Sequence, residues 1–385
     1  MEEKRWGKGS KTHVTGKIRT GRLENHIFKI HVHLRLILLH IANPADPQNF
    51  PPFSLALDQN RVMTAPPMST EAILSTARQY LEVDPTTPIT MVPIKRGASG
   101  RTIARVKTPV HDDFIGIHWT DEREDNAQFV PVAEFLKKAR FNVPTILYDR
   151  SQHNVALVED LGDTDLLSLK DKPFKQRLPF YRSALEQIDR LFYAKVPKDF
   201  ELMPPFDAAL YRWEQRYFFD HFVEDFLKMS PVALEKNGAF EDMAEGLGAT
   251  HKHLVHRDFQ SQNLLIKDDK VFMIDFQGLR RGRQEYDLAS LIFDPYMDHS
   301  EEEREALLDL WEEISDERPE KTLFHQCAAQ RLMQALGAFA NILENRGDNW
   351  YRQHIPVAAK SLRFVTEDTA IGEALEPSLA KCLQA

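Results

Sequence analysis

The hydrophobic positions change period along the chain, and the change divides it. Ser69-Thr70-Glu71 opens a run, EAILSTARQYL, whose apolar residues recur at helical spacing. Three short runs with strand character follow: Thr90 to Pro93, Thr102 to Val106 and Phe114 to Trp119. Over residues 126–140, Phe129, Ala133 and Leu136 return to helical spacing. Ala156 to Val158 predicts a further strand, which ends in the acidic turn Glu159-Asp160-Leu161-Gly162-Asp163. From Lys175 onward helical periodicity dominates, interrupted by one apolar hairpin over 264–276. The pattern predicts an α+β chain of two lobes, a small β-rich lobe over 68–161 and a larger helical lobe over 162–385.

Residues 1–67 follow neither period. The first part is basic, with Gly7, Gly9, Gly16 and Gly21, and a proline-rich stretch follows with Pro44, Pro47, Pro51, Pro52, Pro66 and Pro67. Such a composition buries too little apolar surface to offset the entropy of ordering. A flexible extension is expected, with Met63 and Met68 as alternative starts. Its most apolar stretch, Ile30 to Ala42, falls short of a membrane span of roughly 20 residues and contains Arg35. The net charge of −9 argues against nucleic acid as the main partner. The two cysteines, Cys327 and Cys382, form neither a disulfide framework nor a metal-ligand spacing. A cytoplasmic monomer that engages no membrane is expected.

Candidate chemistry concentrates in His253-Leu-Val-His256-Arg257-Asp258-Phe-Gln-Ser-Gln-Asn263, which matches the pattern H-R-D-x-x-x-x-N of phosphoryl-transfer enzymes at every fixed position. The hairpin after it ends in Asp275-Phe276-Gln277-Gly278 and returns Asp275 to the edge that carries Asn263. Mg²⁺ takes hard oxygen ligands, so Asn263 and Asp275 are candidate metal ligands beside the phosphates of ATP. Asp258 is the candidate base for the acceptor hydroxyl. His256, Arg257 and Asp287 are candidate supports of the loop. Upstream, Lys95 to Arg101 reads as a Gly/Ser-rich hairpin tip, with Ser99, Gly100 and Arg101 as candidate phosphate contacts. The connector at Glu159 and Leu161 is a candidate adenine contact through its backbone. The third strand, Phe114 to Trp119, lacks the lysine usual in such enzymes, so Arg101 or Arg105 is expected to supply the positive charge. Glu134 reads as a solvated residue, and His251, His253 and His256 as structural histidines, because their spacing fits no zinc pattern.

With these residues the chain resembles the aminoglycoside phosphotransferase family, and within it the anomeric amino-sugar kinases. The resemblance runs from about Ala72 to Leu362. Gly97-Ala98-Ser99-x-Arg101 is similar to their phosphate loop, and Ala156 to Asp163 to their L-L-L-E-D-L-G-D connector. Pro204 to Leu210 with Glu214, Ile274-Asp275-Phe276-Gln277, Tyr286 to Tyr296, and Gln330-Arg331 with Leu336 to Phe339 are similar to further family stretches. Gly100 in the phosphate loop and Phe218 to His221 depart from the pattern. The resemblance implies a protein-kinase-like fold, Mg²⁺ and ATP, and transfer to C1 of N-acetylmuramate or N-acetylglucosamine in cell-wall recycling. It also implies Glu214 and Arg331 as candidates for binding the sugar. Two alternatives stay open: an aminoglycoside, choline or homoserine kinase, and a non-catalytic nucleotide-binding scaffold.

Overall fold

A computed structural model describes residues 67–94, 100–250 and 252–384. Residues 1–66, which hold nearly all of the expected extension, lie outside the described residues, as do Ser99 and the rest of 95–99.

The sheet is built around a strand buried on both faces. In β5 (Val155–Glu159), Val155 and Leu157 alternate with Ala156 and Val158, and all four are buried. Such a strand must lie in the middle of a sheet with a layer on each side. The order is β1-β2-β3-β5-β4, antiparallel throughout, with β1 at Thr90–Pro93, β2 at Thr102–Lys107, β3 at Phe114–His118 and β4 at Ile146–Arg150. On one face, α1 (Pro67–Leu81) sets Ile73 and Ala77 against Val106, Phe114, Val155 and Leu157. Gly116 makes this approach possible: a Cβ there would lie 2.2 Å from Ile73 Cγ2, which no side chain tolerates. On the other face, Ile117, Ala156 and Val158 join α2 (Phe129–Lys138) in a core that continues into the helices.

Several boundaries differ from the sequence reading. α1 begins at Pro67 rather than Ser69, since the fixed φ of proline suits a first helical turn. β3 stops at His118, and Trp119 turns in as a buried residue whose N–H donates to Asn154 O at 3.0 Å. β4 has no counterpart in the sequence reading. Glu134 is exposed, as a solvated residue should be.

The connector after β5 forms an isolated antiparallel bridge, Asp165 with Leu265, to the β7–β8 hairpin, Leu264–Lys267 and Lys270–Met273. Leu166 N–H donates to Leu264 O at 2.9 Å, and Ile266 N–H to Thr164 O at 2.8 Å. Gln187, on α3 (Phe174–Phe192), accepts from Asn142 N–H at 2.9 Å and donates to Val271 O at 2.7 Å. The hairpin is thereby fixed to both lobes. The larger lobe is ordered around a long, mostly buried helix. In chain order its main helices are α4 (Ala208–Phe218), α5 (Gly238–Gly248), α6 (Gln284–Ile292), α7 (Glu301–Ser315), α8 (Lys321–Arg346), α9 (Ile355–Val365) and α10 (Ala370–Gln384). The long one is α8, and α4 continues as a π-helix over Phe219–Phe226. Among the described residues no helix is long and apolar enough to cross a membrane.

His299 shows how the helical core handles a polar ring. Its Nδ1–H donates to Ile292 O at 3.0 Å and its Nε2 accepts from the Tyr181 hydroxyl at 2.5 Å. Burial pushes its pKa from 6.5 down to about 4, so the folded state holds the ring neutral. The unfolded chain binds the extra proton first. Stability from this group is therefore present above the unfolded pKa and is lost as pH falls through the folded one. About 3 kcal/mol should vanish between these two pH values. Urea unfolding of the parent and of His299→Gln checks this: their difference at pH 7 should shrink by that order at pH 4.5.

Candidate active site

Strand β6 (His253–Val255) pairs with β9 (Arg280–Gly282), and the 24-residue stretch from His256 to Leu279 between them holds every candidate catalytic side chain. The loop leaves β6 through Arg257, whose φ of +81° turns the backbone left-handed. That bend aims two consecutive N–H groups at one buried carboxylate. Asp287, in the first turns of α6, accepts from His256 N–H at 2.6 Å and Arg257 N–H at 2.8 Å. Asp294 holds the next part of the loop, accepting from Ser261 N–H at 2.7 Å.

The loop is then stitched to the hairpin. His256 Nε2–H donates to Ile274 O at 3.0 Å, and Ile274 N–H donates to Asn263 O at 3.0 Å. Asn263 Nδ2 donates to Asp258 O at 2.9 Å, so its Oδ1 is the atom left for a cation. Asp275 takes a φ of +63°, which the short polar side chain of aspartate tolerates. Burial pushes the His256 ring to a lower pKa, opposed by the charges of Asp258 and Asp275, so one imidazole lies near both carboxylates. The fold thus brings Asp258, Asn263 and Asp275 to a single edge. The side chains of Asp258 and Asp275 stay 30 % and 34 % exposed.

Two arginines were candidates for the missing charge, and the structure separates them. β3 carries no lysine. Arg101, at the head of β2, pairs with Asp275 and donates to Gln277 Oε1 at 3.2 Å, while Gln277 Nε2 donates to Asp275 Oδ1 at 3.0 Å. Burial raises the Asp275 pKa, but Arg101 and Gln277 more than offset it and hold the group below the usual carboxylate range. Both contacts fall on Oδ1 and leave Oδ2 open. Arg105 serves elsewhere: its guanidinium grips Asp160 and Asp163 in the connector. Lys267 Nζ donates to Glu159 at 2.8 Å and to Asp160 O at 3.1 Å. Leu161 is buried beneath them. Gly100 precedes Arg101 with a φ of +70°.

The two sugar-binding candidates occupy different settings. Arg331, on α8, donates to Ser290 Oγ at 3.0 Å and to Gln260 Oε1 at 2.7 Å, and its Nη2 lies 3.6 Å from Asp258 Oδ1. Glu214, on α4, is wholly buried, accepting from the Tyr286 hydroxyl and from Gln330 Nε2, each at 3.2 Å. Burial raises its pKa. Sequence reasoning gave no role to Gln277, Gln260, Asp294 or Lys267. Gln277 and Asp294 did lie inside the family stretches, whereas nothing local marks Lys267.

The family model for the phosphotransferase enzyme family matches residues 90–323, well over half of the chain. The chain belongs to this family. An N-acetylmuramate/N-acetylglucosamine kinase of Pseudomonas putida is 25 % identical over 255 residues, covering 63 % of this chain and 74 % of that protein. The protein of the same name from Neisseria meningitidis is 27 % identical over 255 residues, covering 61 % and 75 %. Among solved structures, choline kinase LicA from Streptococcus pneumoniae superposes with a TM-score of 0.53 at 16 % identity, covering 76 % of this chain and 98 % of that one. The gentamicin complex of APH(2″)-IIa gives 0.54 at 11 %, covering 80 % and 98 %. These neighbours place this family member in the protein-kinase-like fold.

Asp287→Asn keeps the size of the side chain but offers an N–H₂ to one of the two loop N–H groups. We expect the amide protons of His256 and Arg257 to lose hydrogen-exchange protection. Unfolding free energy should fall by about 2–3 kcal/mol, the cost of stranding a buried donor. Exchange followed by mass spectrometry, with urea titration, measures both.

Proposed function

We propose that the chain transfers the γ-phosphate of ATP to the C1 hydroxyl of an amino sugar such as N-acetylmuramate or N-acetylglucosamine, in cytoplasmic cell-wall recycling. The observation that carries the reading is the shared edge of Asp258, Asn263 and Asp275, with Arg331 reaching the base from α8. The names of the curated relatives support the acceptor.

Asp258 is the base that takes the proton of the acceptor hydroxyl. A hemiacetal hydroxyl is more acidic than an ordinary alcohol, so a carboxylate suffices. Arg331 lies beside this carboxylate, its Nη2 3.6 Å from Oδ1. Asp275 Oδ2 and Asn263 Oδ1 suit Mg²⁺, being hard oxygen donors on one edge. Among the described residues no group of three acidic, histidine or cysteine side chains gathers, which fits an ion completed by nucleotide oxygens and water. When bound, the ion neutralises charge on the transferred phosphoryl group. Arg101 meets the phosphates in this reading and takes the role of the absent lysine. Backbone groups between Glu159 and Leu161 receive the adenine. His256, Arg257 and Asp287 keep the loop in shape.

A choline- or aminoglycoside-type acceptor needs an acidic pocket, and several of the acidic residues of α7 are already paired. Glu303 pairs with Arg177, Glu313 with Arg182, and Glu305 and Glu312 with Arg318.

Initial rates on a panel of amino sugars, aminoglycosides and choline test the reading. Asp258→Asn should lower kcat by about 10²–10⁴-fold with KM for ATP little changed. A variant as fast as the parent overturns the assignment of the base. Arg101→Glu should raise KM for ATP at least tenfold, roughly the 1–2 kcal/mol of a charge-assisted contact. Unaltered ATP affinity on calorimetry would remove Arg101 from the phosphate site.

A further inference from the structure

The face of α4 that turns away from the core carries a feature the phosphoryl chemistry leaves unused. Trp213, Tyr217 and His221 recur one turn apart, and all are half-buried. Trp213 and Tyr217 are stacked with centroids 5.4 Å apart and planes at 18°, and His221 meets Tyr217 edge-on at 4.5 Å. Tyr217 lies directly on α8. A Cβ on Gly337 would fall 2.9 Å from its ring and 3.1 Å from Phe218 Cα, so only glycine lets the two helices approach this closely. Its hydroxyl accepts from Asn341 Nδ2 at 2.7 Å.

α8 connects this aromatic pair to the reacting edge. Arg331, which reaches Asp258, bonds to Gln334, and the half-buried residues Gln334, Ala338 and Asn341 then follow at helical spacing along one flank. From Arg331 to Asn341 is about 15 Å of helix. The flank therefore forms a floor with the base at one end and the stacked rings beside it. A π-helix continues α4 from Phe219, a distortion often found where a helix is shaped for a ligand.

We infer that Trp213 and Tyr217 form the platform on which the acceptor sugar lies, with Gln334 and Asn341 bonding its hydroxyls and its anomeric end directed to Asp258. The inference rests on the amino-sugar reading above. The apolar C–H face of a pyranose suits a flat, half-exposed aromatic surface. Arg331 and Asn345 already donate to Gln334 Oε1 and Asn341 Oδ1, so it is mainly the amide N–H groups that face the sugar hydroxyls.

The test uses the full chain, initial rates and tryptophan fluorescence, with N-acetylmuramate, N-acetylglucosamine, choline and kanamycin as probes. Trp213→Leu and Tyr217→Leu are each expected to raise KM for the sugar about tenfold, leave KM for ATP within about twofold and lower kcat less than they raise KM. Trp213→Leu should also abolish the sugar-induced fluorescence change. Trp213→Phe keeps an aromatic face and should stay within about threefold of the parent, which guards against a variant that merely folds badly. A parent that phosphorylates the sugar with KM unmoved in both leucine variants overturns the platform alone. A Phe variant as impaired as the Leu variant does the same. A parent that prefers choline or kanamycin overturns the amino-sugar reading on which the platform rests.

Discussion

One buried carboxylate fixes the shape on which the site depends. Asp287 gathers two adjacent backbone N–H groups at a left-handed bend, and burial raises its pKa to about 7 against their pull. A group that would rather be in water is kept there because its two oxygens satisfy both buried N–H groups of that turn. From the bend the chain runs to Asp258, and the bonds between Asn263, Ile274 and His256 then set where Asp275 sits. Loop and hairpin are one unit, secured from α6 on one side and from Asn142 and Gln187 on the other.

Charge is concentrated beneath this unit. Burial alone would pull the Arg257 guanidinium down, but Asp258 and Glu214 hold it above its ordinary value. Arg280 has less compensation: burial and the neighbouring Arg257 bring its pKa down to about 10. Its guanidinium rests on Phe206 at 5.3 Å and donates to Gly278 O at 3.0 Å. Arg257 is thus compensated by its acidic neighbours, whereas Arg280 sits beside a like charge and is compensated only in part. Arg331 belongs to the same network and extends it to α8, since Asp258 and Glu214 both act on it.

The lobes, most strands and the catalytic loop were legible in the sequence because each carries a local pattern. Thr90–Pro93, Thr102–Lys107 and the 264–273 hairpin alternate or run apolar between polar turns, and the H-R-D-x-x-x-x-N spacing is fixed by the geometry of the bend itself. What escaped has no local signature. β6 and β9 are three residues each, too short for a period, and they pair across more than twenty residues. In β4 the burial is intermediate rather than alternating. The π-helix has the apolar spacing of an ordinary helix until its hydrogen bonds are seen. Arg101, just before β2, and Arg105, within it, are four residues apart, yet one meets Asp275 and the other the connector. That choice depends on residues 55 and 174 positions away. The amphipathic spacing around Glu214 likewise says nothing of the Tyr286 and Gln330 partners that take it out of contact with water.

The two basic residues at the connector have a mechanical consequence. Arg105 comes from the sheet and Lys267 from the hairpin of the helical lobe, and both close on the short segment that links them. Asp160 is largely shielded, at 12 % exposure, whereas Asp163 stands in solvent at 80 %. Dissolved ions weaken the outer contact far more than the inner one. Salt therefore loosens the exposed Arg105–Asp163 contact, while the shielded Arg105–Asp160 contact keeps the connector on the sheet.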